Sequence, residues 1–299
     1  MRLIEWTRPH ELATYFALVF IISWGGVLAV ILPTTGFPAP PEAFSTVGVV
    51  FAASIFAMLL GPPIAGAALS AFLGGKAALR ELRARMVCAR VPGRYYALAL
   101  VAPVSLLGIL AALSLFDRAY IPGFLSAAWR GALPDSVYVD RATAPAMVMG
   151  FVYAVVAGFL EELGWTGFAT PRLIARYGAT RAAIVLGLVW TLWHVLPIYA
   201  FTAESYGALY YPSFVQSLVF LTSFRVLMTL IYERTGSVLV SQFLHFSLTL
   251  SSVVVAPSTT PEQMMIWNSL WPLALALVAV VMVTLRGSTA GWKRQPQAL

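Results

Sequence analysis

Charge is scarce in this chain. Asp, Glu, Lys and Arg make up 10% of its 299 residues, against roughly 25% in a soluble domain. It therefore lacks the charged side chains that a water-facing surface needs, and no soluble domain is discernible. Cysteine is scarcer still: Cys88 stands alone, which excludes an internal disulfide. Arg83, Arg85 and Arg90 around it suit palmitoylation at a membrane surface, although an ordinary free thiol is the plainer reading. Histidine occurs only as His10, His194 and His245, with no His-Glu-x-x-His helix, so that zinc signature is missing. No internal repeat is evident, which argues against the common inverted-repeat transporter folds.

What the chain has in abundance is apolar sequence, 60% of its residues. Long apolar segments run over 12–33, 45–74, 95–116, 144–164, 182–199, 212–232, 237–256 and 265–285. About 20 apolar residues cross a ~30 Å hydrocarbon core. The fifth segment needs a slight extension or a locally thinned bilayer. The second is long and carries Gly61, Pro62 and Pro63 in its middle, so a kink or break is expected there. The first exceeds the length of a signal-peptide apolar region and no small-residue cleavage site follows, so it is expected to stay in the mature protein. The expectation is an all-α polytopic transmembrane helix bundle of about eight spans, a single integral-membrane domain over residues 1–299.

The charges that remain are unevenly placed. Residues 75–94 hold Lys76, Arg80, Arg83, Arg85, Arg90 and Arg94 against Glu81 alone, which marks that side as cytoplasmic. Eight spans then put Arg2 and Arg8, Arg172, Arg176 and Arg181, Arg234, and the tail with Arg286, Lys293 and Arg294 on the same face. The opposite loops hold Arg118, Arg130 and Arg141 against Asp117, Asp135 and Asp140, then Glu204, then Glu262. The expected location is the cell membrane, multi-pass, with both termini cytoplasmic. The net charge of +7 is thereby a topology signal, and a nucleic-acid partner has no support.

Five ionisable residues lie inside the apolar segments: Glu161, Glu162, His194, Arg225 and His245. A charge at the bilayer centre costs at least ~2.5 to 3.5 kcal/mol, so such residues pair, line a wet cavity or perform chemistry. Counting along each helix from its cytoplasmic end, at ~1.5 Å per residue, puts Glu162, Arg225, His245 and His194 at ~13 to 20 Å depth. Four helices thus bring polar groups to one layer, and one shared cavity open toward the cytoplasm is expected. Adjacent glutamates on a helix diverge by about 100°, so Glu161 and Glu162 have different jobs, whereas residues four apart share a face. Glu162 shares its face with Thr166, Trp190 with His194, and His245 with Thr249.

The stretch Glu161-Glu162-Leu163-Gly164-Trp165-Thr166-Gly167-Phe168, followed by Pro171-Arg172-Leu173, resembles the first motif of the CAAX-protease and bacteriocin-processing (CPBP) family of intramembrane glutamic endopeptidases. Trp190-Thr191-Leu192-Trp193-His194 is similar to its aromatic-x-x-x-His motif, and Thr235-Gly236-Ser237 before His245 to the approach to its final His-x-x-x-Asn. The motif-bearing core spans 144–256. The resemblance implies that Glu161 is the general base for a water, that His194 helps hold that water, and that His245 stabilises the oxyanion. A carboxylate in a poorly hydrated cavity is a stronger base near neutral pH. The resemblance favours a metal-free glutamate mechanism and no cofactor is expected, although two histidines and a glutamate are a known zinc set and such a site stays open.

Two positions depart from the family pattern. The arginine expected four residues after the second glutamate is Thr166, and the final asparagine is Thr249. A threonine hydroxyl still donates one hydrogen bond, so Thr249 is readable as an oxyanion donor or as bonded back to its own helix. Arg225, at the depth of Glu162, is expected to supply from another helix the charge that Thr166 cannot. The residues alone also allow blander roles: His194 and His245 as interhelical hydrogen-bond partners, Glu162 as structural, Trp190 as packing that walls the site, and His10 as a terminal surface residue. The expected function is an intramembrane endopeptidase cleaving a peptide or membrane-associated protein with glutamate-activated water. The alternative is a catalytically silent relative acting as a membrane binding, scaffolding or immunity protein.

Overall fold

The structure is a computed structural model that describes residues 4, 7–34, 37, 44–125, 144–257 and 259–288. Arg2, Arg130, Asp135, Asp140, Arg141, Lys293 and Arg294, which enter the charge argument for orientation, lie outside the described residues. Among the described residues there is no strand. Eight helical stretches among the described residues are long and apolar enough to cross a membrane, from Arg8–Thr34 to Pro261–Arg286.

The helices are α1 (Glu11–Thr34), α2 (Phe44–Leu59), α3 (Gly61–Met86), the short α4 (Gly93–Ala97), α5 (Val101–Ser114), α6 (Ala144–Gly164), α7 (Thr170–Tyr177), α8 (Ala179–Tyr206), α9 (Tyr210–Thr235), α10 (Val238–Leu250) and α11 (Pro261–Ser288). The second apolar segment breaks between α2 and α3, with proline in the first turn of α3, where its missing N–H has no intrahelical partner to lose. Further along, α3 bends at Gly75 (φ 61°), a backbone conformation open to glycine. The basic stretch beyond the bend folds back over the bundle: Arg85 Nη1 donates to the Tyr232 hydroxyl at 2.8 Å, and Ser237 Oγ to the Cys88 carbonyl at 2.7 Å. Large apolar side chains such as Ile21, Val104 and Leu277 are exposed, as befits helices whose outer faces meet hydrocarbon.

Two close helix pairs frame the centre. In one, α6 packs on α10; in the other, α8 packs on α9. Without a hydrophobic force between helices in lipid, small residues let backbones approach and gain packing contacts. Gly158 on α6 faces the Phe246 backbone so closely that a Cβ would stand 2.7 Å from Phe246 N, and one at Gly187 on α8 would stand 2.7 Å from Thr222 Cα. Glu161 and Trp190 each follow three residues after one of these glycines. Helices α1 and α3 close one side, with α3 packed on α6, and α11 joins α9 to α5.

Gly158→Ala and Gly187→Ala are each expected to lower the melting temperature of the detergent-purified protein, through an overpacking cost of about 1 to 3 kcal/mol. Gly25→Ala, where a Cβ meets nothing within 4 Å, is the control. Melting curves identical to the control in both variants would show that the pairs are looser than described.

Candidate active site

The helix bearing the two glutamates does not simply continue. After Gly164 the chain makes a π turn over Trp165–Ala169 before resuming as α7. Pro171 explains the distortion, since it lacks an N–H and its ring crowds the carbonyl four residues earlier. Thr170 Oγ1 donates to the Trp165 carbonyl at 2.8 Å, satisfying an acceptor within the wide turn. The approach to His245 is equally specific. Gly236 (φ 64°) ends α9 in the left-handed region, and its N–H donates to the Tyr232 carbonyl. Ser237 then caps α10 by accepting the Val240 N–H at 3.2 Å.

These elements bring Glu162 and Arg225 face to face with no exposure to solvent. Arg225 Nη1 donates to Glu162 Oε2 at 2.9 Å and Nη2 to Oε1 at 3.1 Å, a two-pronged geometry that suits a guanidinium. Thr166 Oγ1 donates to Glu162 Oε2 as well. His245 Nδ1 lies 2.8 Å from Glu162 Oε1, and because a carboxylate only accepts, Nδ1 carries the proton when Glu162 is ionised. The guanidinium also lies 4.2 Å from the Trp190 ring centroid, a cation–π contact.

Glu161 points elsewhere. Its Oε2 accepts two indole N–H groups, from Trp190 at 2.9 Å and from Trp165 at 3.2 Å. Its Oε1 accepts no hydrogen bond from a described residue and faces His245 Nε2 at 3.9 Å. His194 packs edge-on to Trp190 and Trp193, and its Nδ1 donates to the Trp190 carbonyl at 2.8 Å. A carbonyl cannot donate, so this bond leaves Nε2 as the acceptor nitrogen. No ion pair or hydrogen bond joins His194 to Glu161 directly. Thr249 is half-buried one turn after His245 and bonds to no described residue, its own helix included.

The intramembrane residues singled out in the sequence lie on buried or half-buried stretches of their helices, whereas His10 is exposed. Glu161, Glu162, Trp190, Arg225 and His245 form one cluster, in which the Glu161–Trp190 and Glu162–Arg225–His245 hydrogen-bonded groups meet through the Arg225–Trp190 cation–π contact and the 3.9 Å approach of His245 Nε2 to Glu161 Oε1. His194 touches it through Trp190, and Thr249 stands at its rim. The expected cavity open toward the cytoplasm is not what the structure holds: the cluster is closed, with the five linked residues all buried. Aromatic side chains explain the closure, since Trp165, Trp190 and Trp193 fill the space that water would take. Trp165 was missed by sequence reasoning, although its position four residues after Glu161 puts it on the same face. Trp190, read as packing, also donates a hydrogen bond. Among the described residues no three of His, Cys, Asp and Glu converge as a metal site.

The fold and this cluster define a polytopic membrane protein with a carboxylate–histidine centre inside its helix bundle. Residues 143–251 match the family model described as "Type II CAAX prenyl endopeptidase Rce1-like". Over 52 residues, 17% of this chain, the sequence is 38% identical to CAAX prenyl protease 2 of Methanococcus maripaludis. That match spans 19% of the relative's own length. Both similarities support the CPBP assignment made from the motifs, and the segment from 143 to 251 is the part of the chain that is similar to the Rce1-like family.

Removing one member of a buried ion pair leaves the other uncompensated, which costs about 3 to 5 kcal/mol. Glu162→Gln and Arg225→Leu are each expected to lower thermal stability strongly. The double variant is expected to lose less than the sum, with a coupling of ~0.5 to 3 kcal/mol. Additive losses in chemical-denaturation or thermal measurements would mean that the two side chains do not act as a pair.

Proposed function

We propose that this protein is an intramembrane endopeptidase that hydrolyses a peptide or membrane-associated protein with a water activated by Glu161. The observation that carries the reading is the state of the Glu161 carboxylate. Two indole donors fix one oxygen, and the other accepts no hydrogen bond from a described residue. A base needs to be positioned before the reaction and to keep a lone pair for the proton it takes. The Rce1-like match and the relative named as a prenyl protease support peptide hydrolysis.

In this reading a water donates one hydrogen bond to Glu161 Oε1 and the other to His194 Nε2. As Glu161 takes the proton, the water oxygen bonds to the scissile carbonyl carbon and the carbonyl electrons move to its oxygen. His245 Nε2–H and the Thr249 hydroxyl stabilise that oxyanion, in a site from which bulk water is excluded and fixed donors are strong. Glu161 then passes its proton to the leaving nitrogen as the C–N bond breaks, giving a carboxyl product and an amine. Charge balance is compatible with these roles. Arg225 offsets Glu162, so one shared proton between Glu161 and His245 makes the cluster neutral. With that proton on His245, the imidazolium is an oxyanion donor and Glu161 is a free base.

Substrate access requires the cluster to open, and the half-buried residues beside it, His194 and Thr249, mark the edge at which a peptide would meet it. The same closure favours a second reading, in which the cluster is a structural clamp in a catalytically silent binding, scaffolding or immunity protein. The two are separated by proteolysis. Glu161→Gln and His194→Ala are expected to cut peptide turnover by roughly 100- to 10,000-fold while the purified protein stays folded. Substantial turnover in either variant would sink the assignment, and undiminished biological activity in both, with no proteolysis by the parent, would establish the silent reading.

Thr249 gives a finer test. Thr249→Val is expected to lower kcat by roughly 100-fold with little change in KM, because an oxyanion donor acts in the transition state. Thr249→Asn is expected to restore or raise the rate. Unchanged steady-state kinetics in the valine variant would return Thr249 to helix packing.

A further inference from the structure

Away from the buried cluster, three arginines converge where α1, α3 and α7 reach the ends of their spans. Arg172 on α7 is locked in place: its Nε donates to Glu11 Oε2 at 2.9 Å, its Nη1 to the Phe168 carbonyl at 2.9 Å, and its guanidinium stacks 3.7 Å from the Phe168 ring centroid. Arg8 and Arg176 are exposed and form no ion pair or hydrogen bond with a described residue. Glu11 is engaged by Arg172, so the group carries two positive charges in excess. Cavities flank the Arg172–Glu11 pair on both sides. One, of about 430 Å³, is lined by Arg8, Glu11, Pro171, Arg172 and Arg176. The other, of about 420 Å³ on the α3 side, is lined by Arg8, Glu11, Arg172 and Ser70.

We propose that this groove binds the phosphate of an anionic phospholipid headgroup. Arg8 opens the first span and Arg172 and Arg176 close the fourth, so all three sit at headgroup level rather than in hydrocarbon. Tyr177 beside them is exposed, as aromatic residues at a membrane interface are. A guanidinium whose orientation is already fixed forms phosphate hydrogen bonds with little further loss of freedom. A basic pocket between helix ends on the face marked by the positive-charge excess is where an anionic headgroup is expected. An occupant would brace α1 against α7, next to the π turn that carries Trp165. This inference is independent of the catalytic reading.

The test uses the full-length protein in phosphatidylcholine with and without phosphatidylglycerol. Phosphatidylglycerol is expected to raise Tm by about 2 to 5 °C. The Arg8→Gln/Arg176→Gln double variant is expected to bind it about 10- to 30-fold more weakly and to lose the shift. Its Tm in phosphatidylcholine alone should match the parent, because the Arg172 lock is untouched. Arg80→Gln/Arg83→Gln, equally exposed but off the groove, should keep the shift. Equal Tm in both lipids, or a shift that survives in the groove variant, would overturn the proposal, as would its loss in the control variant. Inorganic phosphate producing the same shift in phosphatidylcholine would assign the site to a soluble phosphate and overturn the lipid as its source.

Discussion

The buried pair between Glu162 and Arg225 is the constraint around which the rest of the site is arranged. Neither side chain touches solvent, and an unpaired charge in that position would be expelled or neutralised. The pair is formed between helices remote in sequence, α6 and α9, so the α6–α10 and α8–α9 pairs must stand at a definite distance and register for both prongs to meet. Thr166 and His245 complete the hydrogen bonds of the same carboxylate. A buried carboxylate whose two oxygens are this fully hydrogen-bonded specifies one arrangement of helices, whereas apolar packing in lipid tolerates many.

That arrangement leaves Glu161 outside the ion pair. With Glu162 offset by Arg225, the neighbouring carboxylate does not face an unbalanced negative charge, and its environment is two indole N–H groups and an imidazole. The division of labour between adjacent glutamates follows from helix geometry: a rotation of about 100° sends one into the ion pair and the other toward Trp190 and Trp165. A family-type arginine four residues after Glu162 would have supplied the cation within one helix. Here the cation comes from α9, which ties the integrity of the site to the docking of α8–α9 on α6.

Much of this was legible in the chain. The eight spans follow from apolar length, and the break near Gly61 from a glycine–proline run. The layer shared by Glu162, Arg225, His245 and His194 follows from counting residues along helices of known rise. The location of Arg225 opposite Glu162 was accessible by the same count together with the high cost of an unpaired arginine. Other features were not accessible. The π turn depends on how the Pro171 distortion is absorbed by α3 and α8 packed around it, which spacing alone does not encode. The closure of the cluster depends on three tryptophan side-chain orientations, and rotamers are chosen by tertiary neighbours. For the same reason Trp165 was not distinguishable from an ordinary packing residue, although it stands within the most informative motif in the sequence.

The central claim is that Glu161 and His194 activate a water on one side of a scissile carbonyl while His245 and Thr249 hold its oxygen on the other. An experimental structure with a phosphinate peptide, whose tetrahedral phosphorus mimics the hydrated carbonyl, tests this most directly. The account predicts one phosphinate oxygen within hydrogen-bond reach of Glu161 Oε1 and His194 Nε2, and the second within reach of His245 Nε2 and Thr249 Oγ1, with the Glu162–Arg225 pair intact. A phosphinate bound elsewhere, or one that reaches the cluster only by displacing Arg225 from Glu162, would contradict it.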